Sequence, residues 1–419
     1  MYAAPRHPQA LTESLPVCDE QLTRLTLNTG FGVSRLIHTR SYPTLAAYLA
    51  SPTHYAMTTA TAANLKVHNF SAGPAILPQP VWAQAADAVR DFAGRGLSIL
   101  EVSHRSKEFV DVMDEARTLA KELLGFSDDY EALFLGGGAS SQFYMAPYNL
   151  LPADGTAHYL DTGTWSAKAI KEAKKFGGVN VVASSAESNY TYIPKDFEVP
   201  TDGAYYHIQS NNTIFGTQLK SFPKTGIPVV CDMSSDIFSR PIPADDFGVV
   251  YAGAQKNMGP AGVTLVIVRK DILGRVERDI PTMVDYRTHV AKGSMFNTPP
   301  VFPVYVSMLT MRWVKEHGGV AGMAKRNKAK AEMLYAEIDR NPLFEGTTAV
   351  EDRSHMNATF NVKGEGNEAK FLDFCNDRKL DALKGHRSVG GFRASMYNAM
   401  DIDSIELLVQ TMRDFEQQA

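Results

Sequence analysis

The chain has 419 residues, 44% of them hydrophobic and 21% charged, with a formal net charge of −4 and a pI near 6.3. That length exceeds one ordinary domain and can bury a large core, so a large domain with a smaller companion is the natural expectation. The balanced charge shows no sustained Lys/Arg stripe, which argues against a dedicated nucleic-acid or anionic-membrane surface and for a small-molecule partner. No uninterrupted apolar run approaches the ~18 residues of a spanning helix. Cys18, Cys231 and Cys375 are the only cysteines. None sits in a CxxC or Cys/His spacing, so no disulfide framework and no metal site is expected, and a reducing, cytoplasmic setting fits.

Residues 1–66 are rich in Thr, Ser and Ala, with Arg6, Arg24, Arg35 and Arg40 against few acids, a composition like that of a transit peptide. Read that way, the destination is a plastid or mitochondrion. The competing reading, favoured slightly, takes Met57 as the start and the segment before it as a disordered extension. Either way, the fold argument begins after it.

From there, apolar runs alternate with helical patterns. Val81 to Arg95 and Lys107 to Leu124 have helical periodicity, Ala132 to Leu135 is a short buried strand, and Gln142 to Leu151 starts the next helix. Strand-like runs recur at Ala157 to Leu160, Val179 to Val182, Ala204 to Ile208, Val229 to Cys231, Val249 to Ala252 and Val263 to Val268. This alternation predicts an α/β fold, a doubly wound and mostly parallel sheet covered on both faces. Helical stretches from Val301 to Lys315 and from Val320 to Arg340 lead to a second unit. There, strand-like His355 to Val362, helical Ala369 to Lys379, strand-like Gly391 to Ser395 and helical Ser404 to Gln417 predict a smaller α+β domain over 316–419, beside a large domain over 67–315.

A parallel sheet presents its chemistry at the carboxyl ends of its strands. Three places there stand out. Gly136-Gly-Gly-Ala-Ser140-Ser141-Gln142 joins a strand to a helix, where bare amides and hydroxyls can meet a phosphate, although a plain tight turn needs the same glycines. Asp232 abruptly closes the apolar run Pro228-Val-Val-Cys-Asp232. A buried carboxylate must be paired, by a protonated pyridine nitrogen or by the backbone of a following helix that it caps. Lys256, in Tyr251-Ala-Gly-Ala-Gln-Lys256-Asn-Met-Gly, follows another apolar run in a partly desolvated turn, where its amine can be tuned to hold an aldehyde covalently. The interval between Asp232 and Lys256 allows a return strand that brings both to one sheet edge.

From about residue 68 to the C-terminus the chain resembles the phosphoserine aminotransferases, in the class V branch of the fold-type I pyridoxal-phosphate enzymes. The resemblance rests on Asn69-Phe-Ser-Ala-Gly-Pro-Ala, Ser103-His-Arg105-Ser-Lys-Glu-Phe, Gly163-Thr-Trp165-Ser, Cys231-Asp232-Met-Ser-Ser, Ala252-Gly-Ala-Gln-Lys256-Asn, Asn297-Thr298-Pro-Pro and Gly385-His-Arg-Ser-Val-Gly-Gly-Phe-Arg393-Ala-Ser. It implies a large domain with a mostly parallel seven-stranded sheet and a homodimer with sites at the subunit interface. It also implies pyridoxal 5'-phosphate as cofactor, with no metal. Lys256 is then the Schiff-base lysine and proton shuttle, Asp232 the partner of the pyridine nitrogen, Trp165 the ring that stacks on the cofactor, and Thr213 the contact of its ring oxygen. Ala139, Ser140 and Gln255 surround its phosphate, and Asn297 and Thr298 reach that phosphate from the neighbouring subunit.

For substrate, the resemblance implies His104, Arg105, His386, Arg387 and Arg393, since guanidinium forks hold carboxylates and phosphates bidentately. The reaction implied moves the amino group of L-glutamate to 3-phosphohydroxypyruvate, giving O-phospho-L-serine and 2-oxoglutarate, with 4-phosphohydroxythreonine as a second substrate in some members. Ser140 stands where certain members carry an arginine, and Ala72 where some carry a serine. Two other readings stay in view. A cysteine-desulfurase-like lyase would need a nucleophilic cysteine, but Cys375 lies on the apolar side of an amphipathic pattern. A non-enzymatic descendant would have little reason to keep Lys256, Asp232, Trp165, Arg105 and Arg393 together.

Overall fold

The structure, a computed structural model, describes residues 66–418. The expectations for residues 1–65, the leader and Met57 among them, lie outside the described residues. In chain order the elements are β1 (His68–Asn69), α1 (Gln79–Arg90), α2 (Lys107–Leu124), β2 (Tyr130–Leu135), α3 (Gly138–Leu150), β3 (Thr156–Asp161), α4 (Thr164–Ala173), β4 (Gly178–Ser184), β5 (Tyr206–Gln209), β6 (Val229–Asp232), β7 (Phe247–Gly253) and β8 (Thr264–Arg269). There follow α5 (Tyr286–Ala291), α6 (Val301–Glu316), α7 (Gly319–Arg340), β9 (Phe344–Gly346), β10 (Asn357–Val362), α8 (Asn367–Asp377), β11 (Leu380–Asp381), β12 (Phe392–Ser395) and α9 (Ile402–Gln418).

Seven strands form one sheet in the order β2-β8-β7-β6-β5-β3-β4. The β3/β4, β3/β5, β5/β6 and β6/β7 pairs are parallel, and β8 runs against both its neighbours. Along β7 successive side chains alternate between two cores: Val250 and Ala252 join one, Val249 and Tyr251 the other. The first core adds Phe109, Met113 and Ala116 of α2 and Val304 and Met308 of α6. The second adds Phe143 and Ala146 of α3 and Ala169 and Ile170 of α4. Burial on both faces is why these strands read as continuous apolar runs rather than as alternating ones.

A third core gathers α7, α8 and α9 over the antiparallel sheet β12-β10-β9. Residue 316, where a division was expected, ends α6, and α7 serves both regions, with Met323 in the first core and Leu334 in the third. The segment after β1 reaches both regions: β1 pairs in parallel with β11, Phe70 is buried in the third core, and the Ala75 amide donates to the Gln255 carbonyl at 2.9 Å. Gly73 makes this approach possible. Its φ is +144°, and a Cβ there would lie 3.3 Å from both the Gln255 carbonyl oxygen and Lys256 Cγ.

Two helices differ from the sequence expectation. The pattern from Val81 to Arg95 stops as α-helix at Arg90, because Ala93, Gly94 and Gly96 take positive φ. The helix expected from Gln142 begins instead at Gly138, since Gly137 and Gly138 (φ +94° and +68°) complete the turn out of β2. Cys375 is fully buried on α8 in the third core, and burial pushes its thiol up to about 12. Among the described residues no helix is long and apolar enough to cross a membrane.

Phe371 is fully buried and meets Phe344, Phe392 and Phe415 edge-on, with centroids 4.9–5.2 Å apart. Phe371→Ala is expected to cost about 3–5 kcal/mol of stability through lost burial and a residual cavity. Urea denaturation followed by circular dichroism measures it as a lowered midpoint.

Candidate active site

Because β2, β3, β5, β6 and β7 point the same way, five strand-to-loop junctions open at one edge of the sheet. The glycine loop follows β2, the Thr162–Trp165 turn follows β3, Asn212 and Thr213 follow β5, Asp232 ends β6, and Lys256 follows β7. Pairing of Gln209 with Asp232 and of Asp232 with Tyr251 sets their relative heights.

The Lys256 amine donates to Thr213 Oγ1 at 2.7 Å and lies 5.8 Å from the centre of the Trp165 ring. Burial pulls this amine down to about 8, with Asp232 opposing and Arg393 adding to the fall. Asp232 is buried at the end of β6. Burial pushes its carboxyl up, while Lys256 and the hydrogen bonds of Ser234 hold it down. One of those bonds is visible directly, the Ser234 amide donating to Asp232 Oδ1 at 2.9 Å, and the Gly253 amide donates to Ser234 Oγ at 3.1 Å. Asp232 therefore does take a backbone contact, but the segment after it forms turns rather than the helix that the capping alternative required.

Trp165 stands in the first turn of α4, and its Nε1 is buried without a hydrogen-bond partner. Gly163 is needed just before it, because a Cβ there would lie 1.8 Å from the Asn212 amide nitrogen. That nitrogen donates to the Thr162 carbonyl at 2.5 Å, tying the β3 and β5 loops together. Across the site, Ala139 and Ser140 lie in the first turn of α3, where amides have no partner within the helix and the helix dipole is positive. Gly137 is specifically required there, since a Cβ would come 1.9 Å from Ser141 Oγ. The Gln255 side chain folds back beside Gly253.

The predicted substrate residues divide into two groups. Arg393 Nη1 donates to the Thr213 carbonyl at 3.2 Å, and with His386 it lines a cavity of about 290 Å³ that also includes Phe215 and Thr359. Burial lowers the His386 pKa, and the nearby Arg393, Arg387 and Lys168 lower it further, so four basic groups crowd one region. Lys168 is absent from the sequence expectations. It lies one helical turn after Trp165, with its amine 4.4 Å from that ring's centre, and the i, i+3 spacing on α4 was its only signal. His104 and Arg105 do not line that cavity. They sit on the loop before α2, Arg105 exposed and His104 partly so. Asn297 and Thr298 are likewise exposed, and Asn297 lines a separate cavity with Gly136, Gly137 and Ser141 of its own chain.

An aromatic aldehyde with a basic ring nitrogen and a phosphate fits this edge. Asp232 is a buried carboxylate in want of a cation, Trp165 offers a ring face and an unpaired donor, Lys256 an amine, and the α3 terminus an anion seat. The model of the family described as aminotransferase class-V matches residues 67–408. The chain belongs to the class-V aminotransferases. It is 59% identical over 353 residues to the phosphoserine aminotransferase of Flavobacterium johnsoniae, covering 84% of this chain and 99% of that one. To the phosphoserine aminotransferase of Bacteroides fragilis it is 56% identical over 354 residues, with the same coverage. Among solved structures, the phosphoserine aminotransferase of Bacillus circulans subsp. alkalophilus matches with a TM-score of 0.82 at 45% identity, covering 84% of this chain and 99% of that one. The PLP-bound enzyme of Trichomonas vaginalis matches at 0.80 and 40%, covering 83% and 100%.

With no cofactor bound, trapping of the Lys256 amine by a small aldehyde and borohydride should rise with pH through about 8, far below the ordinary lysine value of 10.5. Asp232→Asn removes a carboxylate that holds the proton on, so the midpoint should move lower still. Peptide mapping across a pH series measures both.

Proposed function

We propose that this protein is a phosphoserine aminotransferase, taking the amino group from L-glutamate and delivering it to 3-phosphohydroxypyruvate to form O-phospho-L-serine and 2-oxoglutarate. The observation that carries the reading is the Lys256 amine held on Thr213 at the edge where β6 ends in Asp232, in a chain more than half identical to enzymes of that name. Bound pyridoxal phosphate supplies the carbonyl that accepts and returns the amino group and the ring that holds the electron pair released at the substrate α-carbon.

The residues divide the remaining work. Lys256 anchors the cofactor, and once its amine is free, Nζ takes the α-proton of the amino acid and returns it, a task suited to an amine pulled to about 8. Asp232 keeps a positive charge on its ring-nitrogen partner, and the two stabilise each other because both are shielded from water. Trp165 covers one ring face, Thr213 Oγ1 holds the amine before reaction, and the α3 amides at Ala139 and Ser140, with Gln255, receive the phosphate. Arg393 clamps the α-carboxylate, and His386, Arg387 and Lys168 supply positive charge for the substrate's second anionic group. That crowding of basic groups supports phosphorylated and dicarboxylic substrates over neutral amino acids.

The proposal extends to a homodimer. His104, Arg105, Asn297 and Thr298 are read as groups offered to the neighbouring subunit's site, supported by the exposure of Arg105, Asn297 and Thr298 and by the exposed apolar residues Trp82, Leu97, Leu100 and Phe296. A reducing compartment such as the cytoplasm suits the free, buried thiols of Cys231 and Cys375.

The test is a half-reaction on the cofactor-loaded protein. O-phospho-L-serine should convert the visible spectrum to that of the aminated cofactor, 2-oxoglutarate should reverse it, and L-alanine should do neither. Sulfide release from L-cysteine, or no response to phosphoserine, would overturn the assignment. Lys256→Ala should lose at least about 10³-fold in turnover, as expected for removing the proton-transfer group, with the folded-state circular dichroism unchanged. Gly137→Ala should weaken pyridoxal phosphate binding by about tenfold or more, through strain at positive φ and the clash with Ser141; equilibrium dialysis measures it.

A further inference from the structure

Lys330, on α7, is 1% exposed and faces no carboxylate within ion-pair distance among the described residues. Its ammonium instead donates to three backbone carbonyls, Met396 at 2.9 Å, Tyr397 at 2.7 Å and Met400 at 3.1 Å. That uses all three N–H bonds of the group and closes the loop after β12 around one buried cation. Asp401, the acid beside this loop, is engaged by Lys66 at 3.1 Å and lies 3.9 Å from Arg326. A buried charge of this kind is costly, and a merely structural loop could be closed by an apolar side chain at less expense.

The loop has a second anchor that leads toward the lysine at the sheet edge. Asn327, one turn before Lys330, donates to Asn398 Oδ1 at 2.8 Å. The Asn398 amide donates to Asn257 Oδ1 at 2.8 Å, and its side-chain amide donates to the Phe238 carbonyl at 2.9 Å. Asn257 in turn donates to the Ile237 carbonyl at 2.5 Å. Phe238 is buried with a φ of +58°, a strained conformation for a bulky residue that persists only where its surroundings impose it. Tyr397 adds a third tie, its hydroxyl donating to the Ala72 carbonyl at 2.8 Å, next to Gly73 and hence to Lys256. Arg393 lies three residues before this loop and Lys256 one residue before Asn257.

We propose that Lys330 and Asn398 are positioning residues that hold the loop after β12, and with it the Arg393 guanidinium, at a fixed reach from the Lys256 amine, so that the substrate carboxylate is bound in register with the reacting amine. Neither residue touches substrate. The inference rests on the reading of Arg393 as the carboxylate clamp.

The test uses cofactor-loaded protein and two variants, Lys330→Met, which keeps the length of the side chain without its donors, and Asn398→Ala. Calorimetry gives the Kd of 2-oxoglutarate, steady-state kinetics gives KM for L-glutamate and kcat, and the visible spectrum checks that the cofactor remains anchored. Each variant should weaken 2-oxoglutarate about tenfold and raise KM in parallel, with kcat changed by less than about threefold. The double variant should lose no more than the worse single one, because both act through one loop. A Kd unchanged in the variants, or losses that multiply in the double variant, overturns the proposal. So does a fall in kcat and melting temperature with Kd intact, the pattern of a purely structural role. Should Lys330→Met fail to fold, Asn398→Ala decides on the same criteria. Wild-type protein that binds no 2-oxoglutarate would overturn the underlying carboxylate-clamp reading, whereas tight wild-type binding with indifferent variants overturns only the coupling.

Discussion

The parallel pairing of β6 with β7, which sets Asp232 opposite Tyr251, is the constraint on which the rest of the site depends. Side chains on a strand alternate between faces, so a slip of one residue would turn Asp232 to the other side of the sheet and take the main counter-charge from Lys256. The alternation of Val249, Val250, Tyr251 and Ala252 between two cores prevents the slip, because each register error would also exchange large and small side chains across both faces. Fixing the register is thus accomplished by apolar packing, and the charged groups are placed as a consequence.

Holding those charges out of water is unfavourable for each alone. The Asp232 carboxyl is pushed up and the Lys256 amine pulled down by the same burial, and each partly relieves the other. The arrangement leaves the pair short of full compensation. A ligand that brings its own positive ring nitrogen to Asp232 and its own carbonyl to Lys256 would complete both at once, which is how stored desolvation becomes binding specificity. The same logic explains the unpaired Trp165 Nε1 at this edge. It also separates this site from the polar cluster behind it, where Asp236 is already engaged by Ser210, Gln218 and Arg240.

Much of the frame was legible in the sequence because burial on both faces gives unbroken apolar runs, and all six strand-like runs expected between residues 157 and 268 lie in the large sheet. Asp232 and Lys256 were legible for the same reason: a charge ending such a run has few places to go. The reversed direction of β8 was not, since composition carries no sign of strand polarity. Nor were β1, β9 and β11, which are two or three residues long and too short to show a period. The start of α3 was misplaced because glycine counts against a helix, whereas Gly138 opens this one with its amides free. Thr213 and Trp165 came from family resemblance alone. Asn212 and the Lys330 network were missed because their partners are backbone atoms far away in sequence, and Lys168 because an i, i+3 neighbour of an aromatic ring on a helix is an ordinary spacing.

The parallel pairing of β1 with β11 has a consequence for the order in which the molecule can be made. Residues 68 and 69 leave the ribosome long before their partners, Leu380 and Asp381. At roughly 5–20 residues per second, synthesis of the intervening chain takes on the order of tens of seconds. Throughout that time Phe70 has no core to enter, and the segment that passes beside Lys256 has only one of its two attachments available. The large sheet can form meanwhile, so the lysine loop is fully covered from this side only after β11 has emerged. Closing the site against the segment after β1 is therefore a late event, and its timing is set by chain connectivity rather than by the strength of any single contact.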